Sequence, residues 1–143
     1  MRATRFNHVS VQAYDLDESA RFYQELFGLE RIVSPQFPHT NVVWLQVGDQ
    51  QLHLFRHDGR PAPEHHFSFE VDDVEAVYLK AKEMGALVDD GTYFSNVWHH
   101  ATGWLQWYLR DPAGNLVEIS WPDGVTTRKS AVPLDRPATA ERR

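Results

Sequence analysis

The chain has 143 residues, 42% of them hydrophobic and 24% charged, proportions of an ordinary globular domain that exclude disorder throughout. Net charge is −6, and the stretch from Val125 onward carries +3, so the body carries −9, which argues against a nucleic-acid partner because phosphate footprints are basic. No apolar run is long enough for a membrane span, Met1 to Phe6 has no signal-like apolar stretch, and the absence of cysteine excludes a disulfide framework, a thiolate metal site and a thiol nucleophile. The reading is a cytoplasmic protein with no membrane partner, and its anomaly is eight histidines and five tryptophans in so short a chain.

In chain order the pattern predicts a strand from Phe6 to Gln12 and a helix from Ser19 to Phe27, capped by Asp17 and ended by Gly28. Strands follow at Val42 to Val47 and Gln51 to Phe55, each alternating apolar and polar. The scheme then repeats: a strand from His66 to Val71, a helix from Ala76 to Met84 capped by Asp72 or Asp73 and ended by Gly85, and strands at Leu105 to Arg110 and Leu116 to Trp121. His8-Val9-Ser10-Val11-Gln12 and His66-Phe67-Ser68-Phe69-Glu70 have the same order of residue types, and Leu52-His53-Leu54-Phe55 matches Val117-Glu118-Ile119-Ser120. The chain therefore divides into a first module at 1–61, a second at 62–124 with an insertion before its last strands, and a C-terminal tail at 125–143.

Successive strand side chains point to opposite faces. His8 and Ser10, Gln51 and His53, His66, Ser68 and Glu70, Gln106, Tyr108 and Arg110, and Glu118 and Ser120 all oppose an apolar face. A plain solvated face would carry lysine, threonine and arginine; this one carries imidazoles and carboxylates. The simplest geometry is a curved sheet around a central cavity with those groups inside. The repeat makes His8 equivalent to His66 and His53 to Glu118, which points to four donors converging on a divalent metal, and imidazole with carboxylate suits Fe, Mn, Co, Ni or Zn. Tyr93 to Trp104, aromatic and without acidic or basic residues other than histidine, reads as a pocket wall or lid that brings Trp98 and Trp104 to a substrate, or as a surface packed on a partner subunit. His39 and His57 read as surface residues, and Trp44, Trp107 and Trp121 as core or interface.

The residues Asn7-His8-Val9-Ser10-Val11, Ser19-Ala20-Arg21-Phe22-Tyr23, Leu26-Phe27-Gly28-Leu29, His65-His66-Phe67-Ser68-Phe69 and Asp111-Pro112-Ala113-Gly114-Asn115-Leu116-Val117-Glu118-Ile119 resemble the vicinal oxygen chelate superfamily, which takes in glyoxalases, bleomycin-resistance proteins and extradiol dioxygenases. The resemblance implies an α+β fold of two βαβββ modules and a metal held by His8, His66 and Glu118. His53 stands where a fourth ligand is expected, although a carboxylate or amide is the usual residue there; it is either a ligand or an acid/base group.

The implied substrate is a small molecule with two neighbouring oxygens, and glyoxalase-like lyase or isomerase chemistry leads. Tyr108 resembles the pocket tyrosine of extradiol dioxygenases and His99 falls near their additional histidine, so Fe(II) ring cleavage is the second reading. A metal-free, bleomycin-resistance-like binding protein is the third. Ser10, Ser68, Trp98, Trp104 and Gln106 complete the expected substrate pocket, and a homodimer is the expected assembly.

Overall fold

A computed structural model describes residues 1–35, 37–99, 104–121, 132 and 136–137. Its described residues divide into two units: Met1–His65 with Asp111–Asn115, and His66–Arg110 with Leu116–Arg143. The expected α+β class and the βαβββ order of each module are what the structure shows.

In the first unit the alternating run becomes strand β1 (His8–Ala13), and helix α1 (Leu16–Phe27) follows at once. The helix starts three residues earlier than the pattern predicts, because Asp15 rather than Asp17 is its cap: Asp15 Oδ1 accepts from the backbone N–H of Asp17 and of Glu18, both at 2.9 Å. Asp17 falls instead in the first turn, where an acidic side chain meets the positive end of the helix. The helix stops at Gly28, whose φ of 65° is left-handed and whose N–H bonds to Gln24 O at 2.9 Å. Three strands complete the unit: β2 (Glu30–Ile32), β3 (Val42–Val47) and β4 (Gln50–Arg56). The sheet order is β1-β4-β3-β2, with β1 parallel to β4 and the other pairs antiparallel. Ala20, Phe22, Tyr23 and Leu26 of α1 and Val43, Leu45, Leu52 and Leu54 of the strands are buried as its core.

The second unit repeats the plan with β5 (His66–Glu70), α2 (Val74–Glu83), β6 (Trp98–His99), β7 (Leu105–Arg110) and β8 (Leu116–Trp121). Asp73 caps α2, accepting from Ala76 N at 3.0 Å. The sheet order is β5-β8-β7-β6, with β5 parallel to β8. Tyr78 of α2 meets the buried Trp107 of β7 edge to face, ring centroids 5.3 Å apart. Most of the stretch expected to be a tail lies outside the described residues; Arg136–Pro137 (β9) pairs in parallel with β6.

The sequence pattern does not predict β2 or β6, since two or three residues are too few to show a period. Phe6 stays outside β1 and is 79% exposed. Among the described residues no helix is long and apolar enough to cross a membrane.

Candidate metal centre

Because β1 and β4 run parallel and in register, His8 faces Gln51 and Ser10 faces His53 across the ladder. The imidazoles of His8 and His53 therefore meet on one face, stacked with centroids 4.2 Å apart and planes 14° apart. The neighbouring strand β3 places Trp44 opposite His53, and its indole lies on the other side of that ring at 4.1 Å. His53 is 5% exposed. Burial first, and the neighbouring His8 second, hold its pKa below the ordinary value, so the ring is neutral at pH 7.

A side-chain amide oxygen accepts from each ring. His8 Nδ1–H donates to Asn7 Oδ1 at 2.9 Å, and His53 Nε2–H donates to Gln51 Oε1 at 2.8 Å. That leaves a lone pair on Nδ1 of the neutral His53 ring. An acceptor that takes up one imidazole N–H is the usual companion of a histidine that binds metal or takes a proton through its other nitrogen.

The second unit builds the matching pair. Ser68 of β5 faces Glu118 of β8, which in turn faces Tyr108 of β7. His66 Nε2 lies 3.4 Å from Glu118 Oε2. The other carboxylate oxygen, Oε1, accepts from Ser120 Oγ at 2.7 Å and lies 3.3 Å from Ser68 Oγ. Tyr108 is buried, hydrogen-bonded to Glu118, and takes a hydrogen bond from Gln106 Nε2 at 2.7 Å. Burial chiefly, then the bond to and the charge of Glu118, push its phenol far above the ordinary range. It is a fixed neutral donor rather than a base.

Aromatic rings surround this pair. His66 meets Tyr108 edge to face at 5.6 Å and Phe94 at 6.3 Å, and Tyr93 stacks on Trp98 at 4.5 Å. A cavity of about 420 Å³ opens nearby in the same unit, with Tyr78, Phe94, Val97, Trp107 and Tyr108 in its wall; neither His66 nor Glu118 lines it.

Of the expected site residues, the second sheet brings His66, Ser68, Trp98, Gln106, Tyr108 and Glu118 to one face. His99 pairs with Leu105, and alternation turns both to the opposite face, away from Glu118. Trp104 is 39% exposed at the head of β7. In the first sheet Ser10 shares the face of His8 and His53 and is exposed. Sequence reasoning missed Asn7, Gln51 and Ser120 as partners of the donor side chains. Each lies one or two positions from a candidate ligand, and for Gln51 and Ser120 the alternation that placed that ligand on its face also placed its partner.

A donor set of imidazole nitrogens and a carboxylate oxygen fits a divalent first-row metal. The His66–Glu118 separation fits as well. At 3.4 Å it is too long for a strong hydrogen bond. Two donors each about 2.1 Å from one ion stand roughly 3 to 3.5 Å apart. Among the described residues these donors come in pairs, and no group of three or more His, Asp or Glu forms.

Two sheets that each set their first strand parallel beside their last are a pair of βαβββ modules. The chain belongs to the Glyoxalase/Bleomycin resistance protein/Dioxygenase superfamily, whose model matches residues 5–119. It is 29% identical over 136 residues to glyoxylase I 4 of Arabidopsis thaliana, covering 83% of this chain and 71% of that one. It is 26% identical over 131 residues to the mitochondrial methylmalonyl-CoA epimerase of Homo sapiens, covering 80% and 72%. Among solved structures it resembles lactoylglutathione lyase from Agrobacterium tumefaciens, with a TM-score of 0.62, 27% identity, and coverage of 85% of this chain and 96% of that one.

Proposed function

We propose that this chain is a metal-dependent enzyme that moves a proton next to a carbonyl of a small substrate bearing two neighbouring oxygens, as a lyase or isomerase. The observation that carries the reading is the 3.4 Å separation of His66 Nε2 and Glu118 Oε2, the spacing of two ligands on one ion. The similarity to an epimerase and to a lactoylglutathione lyase supports the reaction class.

In this reading His66 and Glu118 give an imidazole nitrogen and a carboxylate oxygen to the divalent ion: Fe, Mn, Co, Ni or Zn. Such an ion, when bound, polarises a carbonyl and stabilises the enolate that proton removal forms. The remaining work falls to the chain. His53 is neutral at pH 7, and with its Nε2–H committed to Gln51 its lone pair is on Nδ1, which takes the proton. His8 and Trp44 hold the ring from both sides. Tyr108 and the two serines keep Glu118 in place, and the aromatic side chains Phe94 and Trp98 exclude water.

Elemental analysis of protein purified without chelator tests the metal, and His66→Ala tests the site. The expected result is bound metal in the parent and its loss in the variant. A protein that neither holds nor takes up Fe, Mn, Co, Ni or Zn overturns the reading in favour of a ligand-binding protein. A second reading, Fe(II) ring cleavage, is favoured by the rings around His66 and by Tyr108. Oxygen uptake with catechols after anaerobic Fe(II) loading would establish it in place of the first. A homodimer belongs to either reading, and sedimentation equilibrium checks it.

A further inference from the structure

We propose that Ser120, with Ser68, forms a positioning pair that fixes the plane of the Glu118 carboxylate so that a single oxygen is presented beside His66. The inference rests on Glu118 acting as a ligand, and it concerns a hydroxyl couple that metal chemistry alone does not require.

The geometry assigns each proton. Ser120 Oγ donates to Glu118 Oε1 at 2.7 Å. A serine has one proton, so in the 2.7 Å contact between the two hydroxyls Ser68 is the donor and Ser120 the acceptor. Ser68 keeps only a longer contact, 3.3 Å, with Glu118 Oε1. The chain of donation thus runs Ser68 to Ser120 to Glu118 and ends on Oε1. The oxygen that lies toward His66 is the other one, Oε2. Without these bonds the carboxylate, left with its bond to Tyr108, could turn about its last torsion, which has no steep preference, and present both oxygens toward His66. With Oε1 tied to a serine that is only 5% exposed, that rotation is blocked. Glu118 is then a single-oxygen ligand through Oε2.

The repeat supplies an independent argument. Where the second module has Ser120, two residues beyond its carboxylate, the first has Phe55, two residues beyond His53. An imidazole has no second equivalent atom to hold back, and its orientation is set by Gln51 instead. The hydroxyl pair occurs in the copy whose donor is a carboxylate.

The test uses Ser120→Ala, Ser120→Thr and Ser68→Ala in the full chain, with two measurements. The first is the ¹³C resonance of the Glu118 side-chain carboxyl in metal-free protein, assigned with Glu118→Gln. The second is Co²⁺ affinity by calorimetry. Ser120→Ala is expected to move the resonance and to weaken Co²⁺ binding about tenfold or more, the usual effect of removing a partner that orients a ligand. Ser120→Thr, which keeps the hydroxyl, should retain both parent values, and Ser68→Ala should fall between. A purely structural serine would lower the melting temperature without moving the carboxyl resonance. The proposal is overturned if Ser120→Ala leaves the resonance in place, or if it binds Co²⁺ as tightly as the parent. Should the parent itself take up no Co²⁺, the metal reading falls, and the resonance alone decides whether Ser120 positions Glu118.

Discussion

The Trp44 indole and the His53 imidazole lie 1° from parallel, with ring centroids 4.1 Å apart. This stack covers one face of a ring that is 5% exposed. Trp44→Leu should let water reach it. The His53 midpoint should then rise toward the ordinary value of 6.5, as followed by the imidazole proton shifts in an NMR titration. A midpoint that stays where it was would show that the indole is not what shields the ring.

The same depressed pKa gives stability a defined pH dependence. Unfolded His53 protonates near 6.5, while the folded residue does so only at lower pH. Between those two values the unfolded chain binds the extra proton, so stability rises with pH across the window. The contribution is complete above pH 6.5 and is lost as pH falls toward the folded midpoint. Urea melts between pH 5 and 7.5 should show this slope, and His53→Gln should flatten it.

Asp111 should prove the most sensitive polar position in the first unit. Its Oδ1 accepts from Ala113 N and Asn115 N at 3.0 and 2.8 Å, and its Oδ2 from Tyr23 Oη and Asn115 Nδ2 at 2.8 and 2.7 Å. All four partners are donors, so Asp111→Asn would turn an amide NH₂ against two of them. Denaturant unfolding should report a loss of about 2–4 kcal/mol, the range for buried donors left without an acceptor.

The face assignment separates His66 from His99. His66→Ala or Glu118→Gln should weaken Co²⁺ binding at least about tenfold, whereas His99→Ala, on the other side of the sheet, should leave it within twofold. An equal loss in all three would show that affinity follows general stability rather than ligation.

The main strands and both helices were legible from the sequence because alternation and helical spacing report burial directly. The pairing of His8 with His53 and of His66 with Glu118 was legible because the repeat placed these residues at matching positions of matching strands. Three features were not. The start of α1 depended on which of two aspartates captured the free backbone donors, and Asp15 and Asp17 suit that role equally by residue type. His99 was assigned to the site by position along the chain, but the register of a two-residue strand decides its face, and no periodicity reveals that. The Tyr23–Asp111 bond joins residues far apart in sequence, and neither residue signals the other.

The turn Asp111–Asn115 has a further implication. It is counted with the first unit, and Asn115 Nδ2 reaches Gln12 O there at 2.7 Å, although the strands it connects, β7 and β8, belong to the second. A gene severed after codon 65 would therefore leave the first fragment with a Tyr23 hydroxyl and a Gln12 carbonyl lacking their natural mates. Each fragment expressed by itself should precipitate, and co-expression of the two should restore a soluble species. The repeat is still readable in the sequence, yet the turn that completes the first unit is encoded in the second half.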